Sequence, residues 1–252
     1  MSNANPTVLV IGGADSSGGA GITRDLSTLH DFGVRGVAVV TAVTAQTHTS
    51  VRSINLVPQG TIRDQIETAL VSNRIHAIKI GMLGTKRAVE AVALSLPLRS
   101  EVPVVLDPVL AASSGRALAD DEARIALVEL LFPRATLITP NAVEAALLLG
   151  EPFATDEATL ESYAERLLDD GPRAVLLKGG HAAGEESIDL LVCAPGEIAR
   201  LAGPRRPGTL RGTGCALASA IAAGLARELP LVNACREGKR YITGLFDQAL
   251  AG

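Results

Sequence analysis

The sequence predicts an α/β fold: a mostly parallel sheet with helices packed on both of its faces. Short apolar runs that stop at Gly, Pro or Asp alternate with segments of helical period along all 252 residues, the pattern of repeated β-α units. The apolar residues are also nearly all aliphatic. The chain is 47% hydrophobic but has no Trp, two Tyr and four Phe, which suits strands buried beneath helices on both sides. No linker, repeat or low-complexity segment interrupts the alternation, so a single domain over 1–252 is expected.

Taken in order, "TVLVIG" predicts a first strand over 7–12. The glycine-rich "GGADSSGGAG" (12–21) follows it, then a helix over 21–32. A second strand over 35–43 leads into "TAQTHTSVRSINLVP" (44–58), where polar and β-branched residues break the rhythm. That segment reads either as a flap or short hairpin over one end of the sheet, or as a long connection. A helix over 60–73, a strand over 77–80, a helix over 85–95 and a strand over 103–106 restore the alternation. A helix over 120–131, a strand over 135–138, helices over 141–149 and 156–169 and a strand over 173–178 continue it. Two further strands, 187–193 and 197–201, precede helices over about 212–226 and 230–248.

Composition narrows the function classes. The net charge is −4 and Lys and Arg are not clustered, so a nucleic-acid partner is not expected. The three cysteines, Cys193, Cys215 and Cys235, have neither the number nor the spacing of a disulfide framework or a zinc site. The N-terminus lacks the layout of a signal peptide, and the longest apolar run, 215–226, is too short to span a bilayer. A cytoplasmic protein with no membrane partner is the expectation.

In open α/β sheets ligands bind beyond the carboxyl ends of the strands. The stretches found there are "GGADSSGG", "TAQTHT", "KIGML", "LDPVL", "ITPN", "LLKGGH" and "LRGTGC". The first loop resembles a phosphate cradle but fails both tests for one. A Walker A loop needs a Lys after its second glycine, and no Lys precedes Lys79. The dinucleotide fingerprint needs a third glycine where Arg24 stands.

"RGTGC" behaves differently. Gly212, Thr213 and Gly214 open a strongly apolar helix, where uncovered N–H groups and the helix dipole favour an anion such as a transferring phosphoryl group. An ordinary glycine-rich helix start is the alternative. Cys215 lies in the same first turn, a position expected to lower a thiol's pKa and let it accept a proton from an attacking hydroxyl. It reads equally as a small buried helix residue. Asn141 and Glu144, three apart at a helix start, suit a hydrated magnesium ion, or form a capping box, or both. Asp107 adds a carboxylate at a strand end, and Lys178 a cation within reach of a nucleotide phosphate. His30, His48 and His76 are isolated and read as surface or capping residues.

Together, "GGADSSGGAGITRDL", "TAVTAQ", "KIGML", "LDPV", "TPNAVEAALL", "LLKGGH" and "GTGC" resemble, in order and spacing, the hydroxymethylpyrimidine/phosphomethylpyrimidine kinases of thiamine biosynthesis. The resemblance runs from about Val8 to about Thr243. It implies the ribokinase-like three-layer α/β/α sandwich and, usually, a homodimer. It also implies transfer of the γ-phosphate of ATP, with Mg2+, to 4-amino-5-hydroxymethyl-2-methylpyrimidine and then to its monophosphate. Carried over by motif, Gly13, Asp25, Gln46, Met82 and Val109 would form the pyrimidine pocket. A carboxylate and an amide suit the donor–acceptor edge of an aminopyrimidine, with Met82 and Val109 on either side of its ring. Asn141, Lys178, Thr213 and Lys239 would bind ATP, with Asp107 and Glu144 on the metal side. Gly212, Thr213, Gly214 and Cys215 would form the catalytic anion hole, Cys215 standing where related sugar kinases carry a catalytic Asp.

Three departures stand out. Arg211 replaces a common His before "GTGC", which bears on the balance between the two phosphorylations through a contact with phosphate. Ser16 stands where Pro is common, and the chain stops at "LFDQALAG", so the sheet edge or the adenine side would differ. Pyridoxal kinase activity and a catalytically inactive pyrimidine-binding paralogue are the competing readings.

Overall fold

The structure, a computed structural model, describes residues 5–96, 101–112, 115–179 and 185–251. The amino-terminal half runs β1 (Thr7–Asp15), α1 (Gly21–Asp31), β2 (Arg35–Gln46), β3 (Val51–Leu56), α2 (Gln59–Ser72), β4 (Ala77–Ile80), α3 (Lys86–Ser95) and β5 (Val104–Leu106). It continues through α4 (Asp121–Ala126), β6 (Leu137–Ile138), α5 (Ala142–Leu149), α6 (Glu157–Asp169) and β7 (Ala174–Lys178). β8 (Glu186–Cys193), β9 (Glu197–Pro204), α7 (Thr213–Ala226) and α8 (Leu231–Ala251) complete it.

The strands form one sheet in the order β3-β2-β1-β4-β5-β6-β7-β8-β9. The segment from β2 to β7 is parallel, while β3, β8 and β9 are antiparallel additions at the two edges. Alternation along β1 shows how the layers arise, because successive side chains of a strand point to opposite faces. Val8 and Val10 pack with α1, α7 and α8, whereas Leu9 and Ile11 pack with α2 to α6. The expected sheet with helices on both faces is therefore present as three layers.

The chain turns to opposite sides of β1 to reach β2 and β4, which makes β1/β4 the point where the strand order reverses. A crevice opens there, at the carboxyl ends. The strand-end loops stay tied to the sheet: Gly81 N–H donates to Ile11 O (2.8 Å), Asp107 N–H to Ile80 O (2.8 Å) and Thr139 N–H to Leu106 O (3.0 Å).

The structure decides the reading of 44–58. β2 runs on to Gln46 and pairs antiparallel with β3, from Ala42↔Leu56 to Gln46↔Val51, so a hairpin forms and not a long connection. The helix expected over 120–131 is shorter. α4 stops at Ala126, a wider π turn spans Leu127–Leu131, and a 3-10 turn holds Pro133, which has no N–H for an α-helical bond. Among the described residues no helix is long and apolar enough to cross a membrane.

Candidate active site

Two pockets open at the carboxyl rim, and the first turn of α7 is a wall of both. The left-handed Gly212 (φ 74°) turns the chain into that helix. A Cβ there would lie 2.2 Å from the Gly19 carbonyl, so only glycine allows the "GTGC" loop to sit against the first glycine loop. Cys215 faces one pocket, Thr213 and Gly214 the other.

The first pocket lies at the β1/β4 crevice. Gly13, Asp25, Gln46, Met82 and Val109, five residues far apart in sequence, line it together with Cys215. Met82 lies against the bare Gly13 backbone, its Sδ 3.0 Å from where a Cβ would be. Thr41 Oγ1 holds the Met82 backbone by donating to its carbonyl (2.6 Å). Ser16 Oγ accepts from Gln46 N–H (3.0 Å) and donates to its carbonyl (3.2 Å), which fixes Gln46 at the rim.

Asp25 is wholly buried, and its carboxylate is already engaged. Lys79 Nζ lies 2.9 Å from each of its oxygens, and Ser219 Oγ donates to Oδ1 (2.8 Å). Burial pushes the Asp25 carboxyl up, and Lys79 pulls it back only in part. Burial works most strongly against the Lys79 ammonium, but Asp25, Cys215 and Asp107 together outweigh it and hold the lysine above its ordinary range. Sequence reasoning missed Lys79 and Ser219. The signal was available in "AIKI": a charge inside a fully buried strand requires an opposite charge beside it.

The thiol of Cys215 departs from expectation. Cys215 is half-buried in the pocket wall, and desolvation pushes its thiol up to about 11. Lys79 and the Gly21 N–H favour the thiolate, but burial, together with Asp25 and Asp107, prevails. The expected low thiol pKa is therefore corrected: desolvation, with Asp25 and Asp107, outweighs the Lys79 charge and the Gly21 N–H.

The second pocket is larger and lies between the start of α7, the β8–β9 edge and α8. Lys178, Thr213, Gly214 and Lys239 line it, with an apolar wall of Leu217, Ile242 and Phe246. Lys239 Nζ is anchored by Asp189 Oδ2 (2.9 Å) and Ser187 Oγ (3.2 Å). Lys178 stands at its inner end, 3.1 Å from Asp107 Oδ1 and 3.7 Å from Glu144 Oε2. Thr139 Oγ1 also donates to Asp107 Oδ1 (3.0 Å). Burial alone would raise the Asp107 carboxyl, yet Lys178 and then Lys79 hold it below its ordinary value. Burial pushes Glu144 up to about 7 against the pull of Lys178.

Asn141 and Glu144 form the capping box in full. Asn141 Oδ1 accepts from Glu144 N–H (2.9 Å), and Glu144 Oε2 accepts from Asn141 N–H (2.8 Å). Glu144 pairs with Lys178, and the backbones of Asn141 and Lys178 form an isolated parallel bridge. Among the described residues no group of three or more His, Cys, Asp or Glu side chains is arranged to hold a metal ion. Gly180 and His181 of "LLKGGH" lie outside the described residues.

The chain matches the family described as phosphomethylpyrimidine kinase over residues 15–251. It is 41% identical over 241 residues to the hydroxymethylpyrimidine/phosphomethylpyrimidine kinase of Rhizobium meliloti (strain 1021), covering 96% of this chain and 90% of that protein. It is similar in structure to phosphomethylpyrimidine kinase from Clostridium difficile 630, with a TM-score of 0.81 and 33% identity over 96% of this chain and 99% of that one. Pyridoxal kinase of Bacillus subtilis, solved as an ADP complex, is similar too, with a TM-score of 0.87 and 30% identity over 95% of this chain and 91% of the other. A family match over residues 15–251 and relatives alike over nearly the whole chain admit one conclusion: the chain belongs to the phosphomethylpyrimidine kinase family and has its ribokinase-like fold.

Proposed function

We propose that this kinase transfers the γ-phosphate of ATP to the hydroxymethyl group of 4-amino-5-hydroxymethyl-2-methylpyrimidine, and then to the resulting monophosphate, in thiamine biosynthesis. The observation that carries the reading is the shared wall: one helix N-terminus separates a narrow pocket for a flat ring from a larger one with two lysines. A hydroxyl at Cys215 and a phosphate at Thr213 and Gly214 would meet across that turn. Phosphoryl transfer depends on such positioning and on charge stabilisation more than on covalent help from the protein.

The ring would lie between Met82 and Val109 over the Gly13 backbone, with Gln46 at its polar edge. Asp25 contributes through Lys79, whose ammonium it fixes beneath the pocket. Thr213 and Gly214 offer backbone N–H groups to the transferring phosphoryl group. Lys178 and Lys239 supply positive charge along the nucleotide side, where Asn141 positions Glu144. Cys215 enters the reaction as a neutral thiol. It therefore orients the hydroxyl, and only its minor thiolate form can take the proton as the bond to phosphorus forms.

Asp107 and Glu144 fit a hydrated magnesium ion, because Mg2+ keeps most of its waters and needs only one or two carboxylates besides the phosphates. Asp107 Oδ2 faces the start of α7, 3.6 Å from the Cβ position of Gly214. Magnesium bound there would neutralise phosphate charge. The protein is read as a homodimer, as the family resemblance implies, and as cytoplasmic, the expectation from its sequence.

Product analysis by mass, with the pyrimidine alcohol and Mg-ATP, tests the function. Both the monophosphate and the pyrophosphate are expected, and a clear preference for pyridoxal as substrate would overturn the reading. Gln46→Ala should weaken binding of the alcohol about tenfold, the scale of one lost hydrogen bond, with ATP affinity nearly intact. Titration calorimetry checks this, and equal losses for both ligands would refute the pocket assignment.

A further inference from the structure

We infer that Arg211 is the specificity residue for the phosphorylated substrate: its guanidinium takes the phosphate monoester carried by the ring in the second transfer. The inference rests on the proposed function and adds to it the residue that distinguishes its two substrates.

Two cations line the ring pocket, Lys79 and Arg211. Lys79 is 1% exposed, and Asp25 occupies it through both carboxylate oxygens. Arg211 keeps 15% of its side chain exposed and is held asymmetrically. Its Nη2 pairs with Asp15 Oδ2 (3.1 Å), whereas Nη1 donates to two neutral oxygens, Ser17 Oγ (2.9 Å) and the Thr47 carbonyl (2.5 Å). Asp15 aims the fork and leaves its other arm on partners that an anion can replace. A bond from guanidinium to phosphate is roughly twice as strong as one to a neutral oxygen, so the exchange favours a dianion.

The neighbours tolerate that exchange. Asp15 also accepts from Ser17 N–H (2.8 Å), Ser17 Oγ (2.8 Å) and Ala20 N–H (2.9 Å), so it stays satisfied when the guanidinium shifts. Thr47 is exposed in the β2–β3 turn, and water can take over its carbonyl. Ser17 keeps its bond to Asp15. The neutral alcohol brings no charge to Arg211 and leaves this clasp closed. The two substrates therefore differ at this residue by one charge-assisted interaction.

The test uses the full chain, with Arg211→Gln and Arg211→Lys, and the alcohol and the monophosphate as separate substrates. Arg211→Gln should lower kcat/KM for the monophosphate about 10- to 100-fold more than for the alcohol, the scale of one lost charged hydrogen bond. Arg211→Lys should recover part of that difference. Equal losses on both substrates would make Arg211 only a clasp between loops and overturn the inference. Calorimetric binding of each pyrimidine without ATP separates this from failure of the proposed function. Selective loss of monophosphate binding in Arg211→Gln upholds the role even if turnover is absent. Monophosphate binding that is equally tight in Arg211→Gln and the unaltered chain overturns it, whatever the turnover.

Discussion

At the scale of single residues, Cys215 shows where position is legible in sequence and electrostatics is not. "GTGC" places the thiol in the first turn of a helix, and the structure puts it on the ring pocket. The sign of its pKa shift depends on what surrounds it: burial, Asp25 and Asp107 together exceed Lys79. Neither acid is near Cys215 in sequence, so no local pattern carries that information. Because the thiolate is the reactive form, alkylation of Cys215 should be slow at neutral pH and rise about tenfold per pH unit, with no plateau below about pH 10. Iodoacetamide rates in a Cys193→Ala/Cys235→Ala background check this, and a plateau near pH 7 would restore the activated thiolate. Cys215→Ala should also lower kcat about 10²-fold or more, the scale of a lost proton-transfer group.

At the scale of elements, the positions of strands and helices follow from period and punctuation, and nearly all of them are legible. The sequence admits the hairpin of β2 and β3 only as one of two readings, because its register depends on pairing at the sheet edge and not on local propensity. The start of α7 is legible in "RGTGC", but the reason it needs glycine is tertiary. Gly212 is left-handed, and a Cβ on it would also clash with the Gly19 carbonyl of the first glycine loop, far away in sequence. Gly150, the C-cap of α5, is left-handed as well (φ 68°), but nothing lies within 4 Å of its Cβ position. The pair separates backbone strain from steric clash. Gly150→Ala should cost about 1 kcal/mol of stability and leave activity in place. Gly212→Ala should cost up to about 3 kcal/mol and, by shifting the anion hole, about 10² in kcat. Urea unfolding and steady-state rates distinguish them, and similar losses at the two sites would refute the clash.

At the scale of the molecule, one buried ion pair ties together the elements that make the ring pocket. Asp25 stands on α1, Lys79 on β4 and Ser219 on α7, so the contact joins a strand to two helices of one layer. Local pattern marks Lys79 as needing an opposite charge but does not say which residue supplies it, since Asp25 lies fifty-four residues away. Removing one member of a buried pair strands the other, which typically costs 3–5 kcal/mol, whereas replacing both by neutral groups of similar volume is far milder. Lys79→Met should therefore be much less stable at pH 7 than the double variant Lys79→Met/Asp25→Asn. The pH dependence identifies the cause. Asp25 already has a raised carboxyl pKa, and losing Lys79 removes the largest influence lowering it. In Lys79→Met the folded state binds the Asp25 proton more tightly than the unfolded chain does. Its stability should then be fullest below the unfolded carboxyl pKa of about 4 and fall as pH rises through the folded value. Urea titrations from pH 4 to pH 8 should show the gap between single and double variants small at the acid end and widening upward. A gap of constant size would mean that Lys79 matters for packing alone, and that the Asp25 charge is not what it neutralises.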